Sequence, residues 1–192
     1  MRAPERRAQL VEVARRAFGT SGYHAVSMEE VAELAGVTKP ILYDHFPSKK
    51  DLYLALLDED LNALHAMIER ALASPAGNRE RIRGSFQAYF DFVSSHADGF
   101  RLLMQENVGA EREFRDRVHS FRDRVLREVE DLIMRESGGR LDREHAETVA
   151  LALIGMVETV AQRDPAGPAA TRRAALDTLV QLAWRGITEL PV

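Results

Sequence analysis

The chain of 192 residues contains no cysteine. That excludes disulfides, thiolate metal sites and a cysteine nucleophile, and it fits a reducing cytosol. It also lacks any apolar run near the ~18 residues needed to span a bilayer. The longest is VALALIGMV, residues 149–157, which reads as a deeply buried helix. The opening MRAPERRAQL has none of the apolar core of an export signal, so a cytoplasmic protein without membrane contact is expected. No segment alternates convincingly as a strand would, and no repeat or low-complexity tract is present. Charge of one sign is also scarce, with net −4 overall. The balance is uneven, however. Residues 1–57 carry eight Lys/Arg against seven Asp/Glu, and the remainder carries 18 against 23. A near-neutral N-terminal unit can still bind nucleic acid if its cations share a face, with the acidic remainder held away from phosphate.

What is present is helical throughout. Leu10, Val13, Ala14, Ala17 and Phe18 follow helical spacing, and Gly22 closes that segment. VSMEEV then reads as a capping box with a hydrophobic staple: Ser27 at the N-cap, Glu30 at N3, Val26 against Val31. The second helix stops at Gly36, where a left-handed residue costs glycine nothing. Thr38 is expected to cap a third helix, with Pro40 in its first turn, where a missing N–H is harmless. Ser48 starts a fourth helix, with Asp51 at N3, running to about Ala73. Further helices are expected through Ile82–Val93, through Phe100, Leu103 and Met104, over about 110–136, over about 143–163, and from about Thr171 to Leu190. The fold class is therefore all-α, with about nine helices.

Two short helices joined by a tight glycine turn form a helix-turn-helix, whose second helix enters the major groove. Here that helix is Thr38 to Phe46. Leu42 and Phe46 pack inward at i, i+4, which leaves Lys39, Pro40, Tyr43 and Asp44 on the opposite face with His45 nearby. Ser48 and Lys49 add a helix N-terminus with a cation beside it, suited to phosphate. An all-helical protein of another kind would use the same residues as a half-buried tyrosine and a solvated lysine face.

The stretch VAELAGVTKPILYDHFPSKKDLYLALL, with AFGTSGYHAVSMEEVA before it, resembles the DNA-binding signature of the TetR family of bacterial transcriptional regulators over roughly residues 6–57. The resemblance implies a homodimer that binds a palindromic double-stranded operator. It implies an N-terminal helix-turn-helix domain over residues 1–50, and a helical ligand-binding and dimerisation domain over residues 51–192. Ser27, Tyr43, His45 and Lys49 match phosphate-clamping positions. Thr38, Lys39, Pro40 and Asp44 match positions that face base edges. Asp44 departs from the aromatic more usual there; in the groove it accepts from a cytosine amine or repels phosphate. The family role implied is a repressor released by a small-molecule effector.

The family pattern places that effector among the C-terminal helices. The candidate lining is Phe86, Tyr89, Phe90, Phe100, Leu103, Met104, Val118 and Met156, with Tyr89 and Gln105 as orienting polar groups. These side chains would serve equally as plain core. Aromatic and thioether surface, with no evident cation for an anionic head, suggests a mainly apolar, lipophilic ligand. VALALIGMVETVA is apolar nearly all round and needs partners on two sides. With Leu176, Leu179, Val180, Ala183, Trp184 and Ile187 of the last helix, the resemblance implies a four-helix dimer interface; a monomer with a thick core is the alternative. Catalysis is the competing class. The six histidines show no metal-ligand spacing, and there is no nucleophile elbow or phosphate-binding glycine loop. No catalytic residue, metal or cofactor is expected; a helical metal-dependent hydrolase or a protein-binding adaptor is the alternative.

Overall fold

The computed structural model describes residues 3–95, 112–163 and 167–188. Among these the chain is all-α, with eight helices: α1 (Ala3–Ser21), α2 (Met28–Leu34), α3 (Lys39–His45), α4 (Lys49–Leu72), α5 (Asn78–Ser95), α6 (Arg112–Glu136), α7 (Arg143–Gln162) and α8 (Ala169–Thr188). The helix expected at Phe100, Leu103 and Met104 lies outside the described residues, as does Gln105. No described helix is long and apolar enough to cross a membrane.

The helix ends follow their local chemistry. The Ser27 hydroxyl accepts from the Glu30 N–H at 3.1 Å and so caps α2. At the other end Gly36 adopts φ +65°. Its N–H reaches the Glu33 carbonyl and the Val37 N–H reaches the Ala32 carbonyl, both at 3.0 Å. This double bond is the Schellman arrangement, and it turns the chain directly into α3. Thr38 takes the extended N-cap conformation of α3, but its hydroxyl makes no capping bond. Pro40 occupies the second helical position and offers no N–H, which removes one of the two donors such a cap uses. The Ser48 hydroxyl accepts from the Asp51 N–H at 3.1 Å and donates to the Asp51 carboxylate at 2.7 Å.

Two compact units result. The first holds α1–α3, α4 as far as Asn62, and α6 as far as Val118. Leu10, Val11, Phe18, Val31, Leu42, Leu52 and Leu56 are fully buried in it. Tyr23, Tyr53 and Phe114 form a ring cluster, with Phe114 at 5.3 Å from Tyr23 and 4.5 Å from Tyr53. Ion pairs surround that cluster: Arg117 with both Asp58 oxygens at 2.8 Å, and Lys50 with Glu113. Buried Asp60 accepts from Arg15 at 3.0 Å. The second unit holds the rest of α4 and α6, with α5, α7 and α8. α5 packs chiefly on α8, then on α7. Gly84 lets α5 approach α4 closely, since a Cβ there would lie 3.2 Å from that of Ala71. α7 buries Ala146, Ala150, Leu153, Val157 and Ala161 and leaves Leu151 exposed.

Candidate nucleic-acid interface and ligand cavity

α3 rests on Leu42 and Phe46, both buried as the spacing predicts. Its outer face carries Lys39, Pro40, Ile41, Tyr43 and Asp44, all exposed, with His45 half-buried at its edge and Thr38 exposed at its start. α3 and its N-cap thus gather six of the eight expected DNA-contact residues, His45 included. Ile41 was not anticipated. It follows Pro40 and precedes Leu42, so helical spacing turns it away from the core, and its exposed branched carbons suit a thymine methyl.

The cations of this unit are already engaged. Lys39 donates to the Glu29 carboxylate of α2 and stands 5.7 Å from the centre of the Tyr43 ring. That hydrogen bond holds the Lys39 ammonium above its ordinary pKa and the Glu29 carboxyl below its own. Lys49 turns toward the α1–α2 connection. It donates to the Val26 carbonyl at 2.8 Å and lies 4.6 Å above the Tyr23 ring, and burial pushes its pKa down. Arg7 lies over the Phe46 ring at 4.8 Å and pairs with Glu59 at 3.7 Å. Ser27 is exposed at the start of α2, with its oxygen committed to the cap.

The second unit contains a cavity of about 310 Å³. Ile82, Phe86, Leu132, Leu141, Leu153 and Trp184 give it apolar walls, while Asn78, Arg81, Glu136 and Arg140 supply polar groups. Arg81 donates to Glu136 and to Asn78, each at 2.8 Å. The Nε of Arg140 donates to the Ser137 carbonyl at 2.9 Å. A smaller cavity of about 60 Å³ shares Ser85, Phe86 and Leu153 with the first and adds Tyr89, Phe121, Arg122 and Val157. The Ser85 hydroxyl, in the wall common to both, is shielded and has no hydrogen-bond partner among the described residues. The Tyr89 hydroxyl accepts from the Gln162 amide at 3.4 Å, and burial pushes its pKa up to about 12.

Of the expected ligand residues, Phe86 lines both cavities and Tyr89 the smaller one. Phe90 is buried beside a separate, more polar groove with Asp91, Arg172 and Arg173. Val118 and Met156 line neither cavity, and Phe100, Leu103 and Met104 lie outside the described residues. Arg81 and Arg140 line the larger cavity, and neither was among the expected ligand residues. They sit near helix ends, where a hydrophobic periodicity has nothing to register.

Comparison with known proteins covers both units. Residues 10–56 match the family described as "Bacterial regulatory proteins, tetR family", and residues 78–186 match "Tetracyclin repressor-like, C-terminal domain". The HTH-type transcriptional activator FasR of Mycolicibacterium smegmatis is 34% identical over 189 residues, covering 98% of this chain and 85% of its own. The crystal structure of a TetR-like transcriptional regulator from Rhodococcus sp. RHA1 superposes with a TM-score of 0.75 at 28% identity, over 98% of this chain and 99% of that one. AibR, solved in complex with isovaleryl coenzyme A and operator DNA, shares the fold with a TM-score of 0.73 at 21% identity, over 92% and 97% of the two chains.

Proposed function

The chain belongs to the TetR family of bacterial regulatory proteins, a family of transcriptional regulators rather than enzymes, and we propose that it is a cytoplasmic repressor that leaves its operator when a small effector binds. The observation that carries this reading is α3: buried on Leu42 and Phe46, turned out of α2 by the Gly36 motif, and presenting Lys39, Pro40, Ile41, Tyr43 and Asp44 outward. DNA contact is assigned to residues 1–50, with Ser27, Tyr43, His45 and Lys49 toward phosphate and Thr38, Lys39, Pro40 and Asp44 toward base edges. Ligand binding and dimerisation are assigned to residues 51–192.

Exposed Leu151 on α7 and Leu182 on α8, 53% and 59% accessible, support a second copy packed on these helices. Gly155 and Gly186 leave open space where a side chain would stand. A two-fold pair of recognition helices requires half-sites about 34 Å apart. The cavity near Phe86 supports an effector with an apolar body, and its volume lies at the lower bound of small-ligand sites, roughly 300–1,000 Å³. Such a ligand releases DNA only by binding one dimer geometry more tightly than another. α4, which continues from the first unit into the second, is the lever assigned to that change.

Selection of bound sequences from a random duplex pool tests the reading. An enriched inverted repeat supports a dimeric regulator, and a pool that shows no enrichment refutes it. The name of the M. smegmatis relative supports activation as the second reading. A reporter placed behind the selected site separates the two by the sign of its response.

A further inference from the structure

We propose that Glu29 is a specificity-determining residue that acts by holding Lys39, so that the recognition helix yields its cation to a registered base and not to loosely bound phosphate. The inference rests on the DNA-binding reading above. Lys39 is the only lysine or arginine of α3. It reaches back across the turn to Glu29 in the first turn of α2, and its ammonium sits near the Tyr43 ring. Both side chains are more than half exposed, 55% for Lys39 and 58% for Glu29, so a duplex approaching α3 meets the pair itself. The other formal charge on α3 is the exposed carboxylate of Asp44.

The consequence follows from counterion release. Affinity for any duplex rises with the number of phosphates neutralised, and each contributes about 0.9 to the slope of log affinity against log salt. A lysine already neutralised by Glu29 adds nothing to that number. In an unregistered complex the phosphates slide past, and none is fixed where it can displace a carboxylate already in hydrogen-bond contact. In a registered complex the other contacts fix a guanine edge, with acceptors O6 and N7, opposite Lys39. Lys39 then exchanges Glu29 for the base, whereas in a wrong register the pair stays closed and Lys39 gains nothing from the backbone. Glu29 therefore lowers affinity for random sequence more than affinity for the operator.

The test compares wild type with Glu29→Gln on the selected operator and on a random duplex of equal length, across a salt series. Gln retains the size of the side chain and removes the charge. Freeing one cation is expected to raise random-duplex affinity up to about eightfold at 0.1 M salt and to steepen its salt slope by about one unit. The operator should gain less, so the ratio of the two affinities falls. Lys39→Gln supplies the second arm. Against Glu29→Gln it should cost about one unit of slope. In the wild-type background it should leave the slope for random duplex nearly unchanged, a non-additivity expected of a coupled pair. An unchanged random-duplex affinity in Glu29→Gln, or equal gains on both duplexes, overturns the inference alone. A wild-type protein that retains no duplex overturns the DNA-binding reading and this inference with it.

Discussion

Phe114→Ala should destabilise the first unit by about 3–5 kcal/mol, the range for removing a buried phenylalanine. Phe114 is 3% accessible, and it opens α6 against two tyrosines that the chain supplies from positions 23 and 53. Ring contacts of this kind contribute about 0.5–1.5 kcal/mol beyond area burial, and Phe114 makes two. Polar contacts hold the same segment: Arg117 with Asp58, and Glu113 with Lys50. All four of those side chains are well exposed, so each pair is worth about 0–1 kcal/mol. The order of effects is therefore fixed: Phe114→Ala is severe, Phe114→Leu intermediate, and Arg117→Gln slight. Urea unfolding followed by circular dichroism, with operator retention as a second readout, measures all three. Tyr23 also underlies the Lys49 ammonium, so duplex affinity should fall with Phe114→Ala even where most molecules remain folded. If Arg117→Gln costs as much as Phe114→Ala, or if Phe114→Ala costs less than about 1 kcal/mol, the apolar account of this segment is wrong.

Lys49→Met should weaken operator and random duplex alike and flatten the salt slope by about one unit, as expected of a phosphate clamp; a loss confined to the operator would assign Lys49 to base reading instead. Stability should decline between about pH 10 and pH 12, because the buried Tyr89 phenol keeps its proton up to about 12 while the unfolded chain loses it near 10. The loss attributable to this one group is on the order of 2–3 kcal/mol, and Tyr89→Phe should flatten alkaline unfolding over that window. Leu151→Glu together with Leu182→Glu should convert a dimer to monomer in sedimentation at micromolar concentration; a wild type that is already monomeric there refutes the assigned interface.

The helices and their ends were legible from the chain because their causes are local. Ser27 caps α2 through a bond to its own third neighbour, and Gly36 reverses the chain with bonds that span at most five residues. Leu42 and Phe46 fall inward by periodicity alone, and the same periodicity leaves Lys39, Tyr43 and Asp44 outside. Tertiary structure decided what those groups meet. Thr38 loses a capping donor to Pro40, a local effect that composition alone understates, but nothing in a one-dimensional pattern pairs Lys39 with Glu29 ten residues earlier or Lys49 with the Val26 carbonyl. Phe114 reads as one more apolar position on a long charged helix until folding sets it between Tyr23 and Tyr53, some 91 and 61 residues back along the chain. The cavity is the furthest removed from sequence. Phe86 and Tyr89 carry the periodicity of core, and whether core closes or leaves about 310 Å³ open depends on how α4 to α8 pack. Arg81 and Arg140 reach that space from near helix ends, where charge is ordinarily solvated, so only packing in three dimensions makes them part of a site.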